Sequence, residues 1–355
     1  MPERLLGALL ALAAAVLFGA SIPFAKLLLG AIGATTLAGL LYLGAGFGVG
    51  LLLAVRASFK IRRTEAPLAT ADWPWLGAVV IAGGVIGPIL LMAGLQTTPA
   101  TSAALLLNLE SFFTLLIAWL IFHESIDRRI ALGALTILIG AVILSWQGPI
   151  GAPRWSALAV IGACLAWAID NNLTRKLAVA DPLVIVAVKG WVAGPITLIL
   201  AASLGDDFPP VSLAVAASGI GAIGYGGSLI AFVLALRQLG AARTGAYFAT
   251  APFMGAALAI LLLHEPLTPQ VLLAALLMGI GIYLHLTERH DHFHSHDPLV
   301  HAHRHTHDAH HQHVHQPDDP PGEPHAHAHA HASIQHAHPH YPDIHHRHRH
   351  PLIDR

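Results

Sequence analysis

From Leu5 to Leu286 the chain is a succession of apolar runs of about twenty residues separated by short polar turns, and a run of that length crosses a hydrocarbon core of about 30 Å as a helix. Backbone groups in lipid must be satisfied internally, so runs this long and continuous are read as helices. Ten are expected, over residues 5–29, 35–55, 75–95, 100–122, 130–146, 155–175, 183–203, 211–236, 243–263 and 269–286, which makes an all-α polytopic membrane protein. Only 11% of residues are charged, against roughly a quarter in soluble domains. The first run is too long for the core of a cleaved secretion signal, although Arg4 precedes it and Ala13, Ala14 and Ala15 offer small residues.

The runs occur twice. Ile121 to Leu144 reads IFHESIDRRIALGALTILIGAVIL, and 141 positions later Leu262 to His285 reads LLHEPLTPQVLLAALLMGIGIYLH, with His123-Glu124 in register with His264-Glu265. The copied unit joins the tail of one run to the whole of the next, so it is a helix pair with a polar hinge. Two repeats follow, 1–147 and 155–287, and a third segment, 288–355, holds 23 of the 26 histidines with many prolines and few aliphatic residues. That tail lacks the apolar content for a core and is expected to be disordered and cytoplasmic.

Arginine and lysine set the orientation. With a cytoplasmic N-terminus, the even-numbered connections carry Arg56, Lys60, Arg62 and Arg63, then Arg128 and Arg129, Arg175 and Lys176, and Arg237 and Arg243. The odd connections hold little beyond Lys26 and Arg154, with acidic Asp206 and Asp207. Both termini are therefore expected in the cytoplasm of a cell whose plasma membrane, for a bacterium the inner membrane, the protein crosses many times. Five helices, an odd number, separate the two His-Glu hinges, so the copies should point in opposite directions as an inverted repeat of five helices plus five.

Two five-helix units, each closing on a hinge (Phe122-His123-Glu124-Ser125 and Leu263-His264-Glu265-Pro266) and a Gly-bearing last helix, resemble the EamA domains of the drug/metabolite transporter superfamily. The resemblance covers about residues 5–287 and does not reach the tail. It implies a carrier that exports small metabolites, amino acids or related compounds, with no cofactor bound in the membrane core.

Ionisable residues deep in apolar runs carry the most information, because each costs at least about 2.5 kcal/mol at the helix centre. Glu110, beside Asn108 on the fourth run, Asp170 on the sixth and Lys189 on the seventh qualify. Asp170 and Lys189 should lie at similar depth, either as an ion pair that joins two helices or lining a cavity with Asn171. Glu110 has no evident partner and is either a carboxylic acid bonded within the bundle or a substrate or proton site. Gly83, Gly84, Gly87 and Pro88 on the third run, and Gly221, Gly224, Gly226 and Gly227 on the eighth, mark interruptions in corresponding places, which point to a midplane site or to close helix packing. Trp167, Trp191 and Tyr225 are candidates to line it.

In the tail, His290, His292, His294 and His296 alternate with other residues, as do His301, His303, His305 and His307, and His325, His327, His329 and His331. Alternate residues of an extended chain share a face, so several imidazoles could hold one borderline cation such as nickel, zinc, cobalt or copper. The competing reading is an appendage whose charge changes steeply near the histidine pKa.

The expected function is a secondary transporter that exports a small solute by alternating access, the solute being an organic metabolite or a divalent transition-metal cation. A membrane-anchored metal sensor or buffer acting through the tail is the alternative. The core offers the metal reading little, since the whole chain has one cysteine and four methionines. An enzyme is not expected: after His123-Glu124 and His264-Glu265, the second histidine of a zinc-protease signature would fall on Asp127 and Thr268. Each hinge glutamate is expected to meet the positive end of the helix that follows it. The formal charge of -1 gives no sign of a nucleic-acid partner, and oligomeric state is not legible.

Overall fold

A computed structural model describes residues 2–59, 68, 70–122, 128–145, 155–174, 177, 181–239, 241–287, 290–295, 299–305, 325–331 and 335–340. The helices are α1 (Pro2–Leu28), α2 (Ala34–Ser58), α3 (Trp73–Val79), α4 (Gly87–Thr97), α5 (Ala100–Leu106), α6 (Leu109–Phe122) and α7 (Arg128–Ser145) in the first part of the chain. They continue as α8 (Trp155–Thr174), α9 (Pro182–Ser203), α10 (Val211–Ile220), α11 (Ser228–Leu239), α12 (Ala241–Phe248), α13 (Ala251–Leu263) and α14 (Pro269–Leu286). Taken with the joints between collinear pieces, nine stretches among the described residues are long and apolar enough to cross a membrane, and Pro269–His285 is a slightly shorter tenth.

Two of the joints are π-helical, Val80–Ile86 and Gly221–Gly227, and they stand 141 positions apart, the offset of the sequence repeat. The same offset separates the starts and the ends of α7 and α14. Residues 100–122 and 243–263, expected as continuous helices, are instead each broken once, at Leu107-Asn108 and at Ala249-Thr250, within one residue of the repeat offset. Pro252 at the start of α13 rationalises the second break, because its ring fits only the first turn of a helix. At the first, the Asn108 side chain donates to Leu105 O (2.8 Å) and closes α5.

Helices from the two parts of the chain interleave: α2 packs on α9, α7 on α14, and α1 on both α11 and α13. Small residues set how close they come. A Cβ at Gly190 would lie 2.5 Å from the Gly46 Cα, and one at Gly281 would lie 2.6 Å from the Gly133 carbonyl oxygen, so both crossings are in direct backbone contact. Large apolar side chains such as Leu51, Ile199, Leu261 and Leu276 point outward, while Ser21, Thr36, Asp170, Asn172 and Thr197 are buried. That is the polarity of a helical bundle solvated by lipid.

Beyond α14 the described tail segments are extended: β1 (His290–Ser295), β2 (Leu299–His305), β3 (His325–His331) and β4 (Gln335–His340). Composition predicts a tail without a core, and the strands form two separate two-stranded antiparallel ribbons, β1 with β4 and β2 with β3. His296, His307 and the hinge His123-Glu124 lie outside the described residues.

Candidate functional site

The third membrane crossing changes from α to π winding where the sequence reads Gly83-Gly84. Without side chains, these two residues let α8 and α9 come close enough to bring Asp170 and Lys189 together. A Cβ at Gly83 would meet Asp170 Oδ2 at 2.0 Å, and one at Gly84 would meet Ala193 Cβ at 2.7 Å. Lys189 Nζ donates to Asp170 Oδ2 as an ion pair, and Thr174 Oγ1 donates to Asp170 Oδ1 (3.2 Å). The Gly83 carbonyl accepts from Tyr42 Oη (2.6 Å) and from Trp167 Nε1 (2.9 Å), so the altered winding leaves no buried acceptor idle there.

Glu110 stands in the first turn of α6, directly after the break at Leu107-Asn108, where the positive end of a half-helix favours a carboxylate. Its Oε1 accepts 2.7 Å from Asn171 Nδ2. The neighbouring Asn172 is buried and donates to Thr114 O (3.2 Å) and Ala168 O (2.9 Å), which ties α8 to α6. Asp170 and Lys189 lie within electrostatic range of Glu110, and Glu110 and Asp170 within range of Tyr42. Tyr42 stacks at a tilt on Tyr225 (centroids 5.7 Å apart), and Tyr225 meets Phe18 edge-on at 5.6 Å.

Of the residues singled out from sequence, Asp170, Lys189 and Trp167 meet at the π segment, Glu110 bonds Asn171, the next residue of α8 after Asp170, and Tyr225 stacks on Tyr42, which bonds the Gly83 carbonyl. Asn108 is buried in its own turn, against Met278 Sδ at 3.7 Å. Trp191 is 45% exposed and lies over Gly46 and Gly50 of α2. Tyr42 and Thr114 were not anticipated. A hydroxyl-bearing ring in the apolar stretch Leu40-Leu41-Tyr42-Leu43 was the available signal for the first. Among the described residues no group of three or more histidine, cysteine or acidic side chains is placed to hold a metal ion.

A second polar constellation lies at the turn between α4 and α5. Lys26 Nζ donates to the carbonyls of Leu95, Gln96 (3.0 Å) and Thr98 (2.9 Å) at the end of α4. Glu265 accepts from the backbone amides of Ala100 (2.7 Å) and Thr101 (2.8 Å) at the start of α5. The hinge glutamate was expected to face the helix after it. The positive helix end it meets is instead on α5, 165 residues away. His264, which ends α13 in the left-handed region at φ 53°, turns the chain toward that contact.

A model of the "EamA-like transporter family" matches the chain twice, over residues 5–146 and 154–287. A protein of Methanothermobacter thermautotrophicus described as an "Uncharacterized transporter" is 28% identical over 296 residues, spanning 79% of this chain and 86% of its own. One solved crystal structure superposes with a TM-score of 0.57 at 18% identity, covering 80% of this chain and 96% of its own, a likeness of fold.

Proposed function

Since this chain belongs to the EamA-like transporter family, and so is a membrane transporter of small solutes, we propose that it is a secondary carrier that exports its solute from the cytoplasm by alternating access. The two matched units are its moving parts, arranged as an inverted repeat in the plasma membrane with both termini in the cytoplasm. The solute sits between Glu110 with Asn171 on one side and the Asp170–Lys189 pair beneath the π segment on the other. What carries this reading is the pairing of buried charge with helix interruptions at matching positions in both units, since such charges and breaks are retained where they line a pathway.

The chemistry of the site favours an organic solute with a protonated amine. Asp170 is neutralised by Lys189, whereas Glu110 is held by a neutral amide and leaves one negative charge to offer. Tyr42, within electrostatic range of Glu110, opens a run of rings that continues through Tyr225 to Phe18, and aromatic rings suit a cation with an apolar body. Glu110 can hold a proton or the amine, so exchange of one for the other couples export to the proton gradient. The test is a thermal-shift panel of organic amines, carboxylic acids and divalent metal salts on the full-length protein and Glu110→Gln. Stabilisation by amines in the parent alone supports the reading; stabilisation by acids, or by amines equally in both proteins, overturns it.

A second reading concerns the tail. The ribbon registers place histidine opposite histidine six times: His290 with His340, His292 with His338, His294 with His336, His301 with His329, His303 with His327 and His305 with His325. Alternate residues of an extended chain share a face, and imidazole is a ligand type that zinc, nickel, cobalt and copper all accept. The tail is then a cytoplasmic metal-binding module, working with the carrier or as an anchored sensor or buffer. Zinc titration of the full chain and of a truncation after Glu288 tests it, and equal uptake by both proteins would refute it.

A further inference from the structure

The bundle is not equally tight at its two ends. All seven residues of α5 are buried, and Leu105 and Leu106 are wholly inaccessible. In the corresponding helix of the second unit, Gly245 to Phe248 of α12 are only half-buried. Past Glu110 the side chains of Phe112 to Ile117 are half-buried as well. The carboxylate lies ten residues along the crossing from Ala100, or about 15 Å at 1.5 Å per residue, and the buried helix α5 fills most of the interval between it and the α4–α5 turn.

The seal is made of charge. Lys26, on α1, sits on the negative carbonyl end of α4, and Glu265, from the second unit, sits on the positive amide end of α5. Each complements the helix end it meets, and each bond has one ionised partner. Lys26 and Glu265 also lie within electrostatic range of one another. At the same turn the hydroxyls of Thr98 and Thr101 are buried with no hydrogen-bond partner. A buried hydroxyl without a partner is a cost that water would relieve, so the closed turn holds a built-in bias toward hydration when the clasp lets go.

We infer that Lys26 and Glu265 form the gate of this mouth: their grip on the α4–α5 turn holds it shut while the opposite mouth is open, and their release hydrates Thr98 and Thr101 as the opposite mouth closes. This rests on the alternating-access reading and adds the residues that set which side is shut. It also gives the glutamate of the His264-Glu265 hinge a task at a contact between the two units.

The experiment uses the full chain with Cys164 replaced by alanine and a single cysteine at one of two reporter positions. Thr98→Cys reports on the clasped mouth and Thr114→Cys on the other, each read as the rate of labelling by a membrane-impermeant maleimide on purified protein. Glu265→Gln and, separately, Lys26→Met are expected to raise labelling at position 98 by about tenfold, as loss of a charge-assisted hydrogen bond allows, and to lower it at position 114. Glu265→Asp should restore part of the parent pattern. If position 98 is unchanged in both variants, the gate is elsewhere and the carrier reading stands. A rise at 98 with no change at 114 means a local seal and counts against alternating access as well as the gate. A rise at both positions means that the bundle has merely loosened, and overturns the inference.

Discussion

Asn171 and Glu110, on helices α8 and α6, are joined by a 2.7 Å hydrogen bond in which the amide donates to the carboxylate. The contact gives Glu110 a neutral partner, and in the proposed carrier the carboxylate is matched by a proton or a solute. Asn171→Ala should therefore weaken binding of amine solutes about tenfold, the value of one charge-assisted hydrogen bond, with little effect on folding. Comparing solute-dependent thermal shift with the unliganded melting temperature separates the two effects.

The Asp170–Lys189 pair is buried at a helix-packing contact, so removing one partner leaves the other uncompensated. Asp170→Asn and Lys189→Met singly should each destabilise the detergent-solubilised protein by about 3–5 kcal/mol, and the double variant should recover much of that loss. A double-mutant cycle on denaturant-induced unfolding measures the coupling.

Gly83→Ala is expected to be disruptive and Gly77→Ala silent. A methyl at Gly83 would overlap Asp170 Oδ2 at 2.0 Å, whereas nothing stands within 4 Å of one at Gly77. Overpacking of this kind costs about 1–3 kcal/mol. Melting temperatures of the two variants side by side give the test, with Gly77→Ala controlling for the general effect of glycine replacement in a helix.

How much of this was legible in the sequence depended on the range over which the signal acts. The helices were legible because apolar length and turn residues are local and lipid imposes helix on each run. Asp170 and Lys189 could be matched in depth because Arg175 and Pro182 bracket the loop between them. Interruptions in the third and eighth crossings were anticipated from their glycines, but the π winding was not, since Gly44, Gly46, Gly48 and Gly50 are as closely spaced and lie within the regular helix α2. The breaks at Leu107-Asn108 and Ala249-Thr250 were not anticipated, because the apolar length around each suffices for one crossing and outweighs the local signals, Asn108 and Pro252, that mark them. The reach of Glu265 across 165 residues to Ala100 was hidden for the same reason: the repeat located the hinge, and only packing says which helix end it meets.

Metal uptake by the tail should depend on pairing and not only on histidine number. Deleting residues 325–340 removes β3 and β4 and leaves His301, His303 and His305 without their register partners. Zinc affinity should then fall at least tenfold although every histidine before residue 325 remains, whereas a loss merely proportional to the histidines removed would point to an unpaired chain. Calorimetric titration of the two full-membrane proteins distinguishes these outcomes.

The most direct test of the account is transport itself. Full-length protein in liposomes, given an inwardly or outwardly directed proton gradient, is loaded with a labelled organic amine chosen from the thermal-shift panel, and its flux is compared with that of Glu110→Gln. Gradient-driven flux is expected in the parent, with a loss of at least about tenfold in the variant and the fold retained. Equal gradient-driven flux in both proteins would contradict the account.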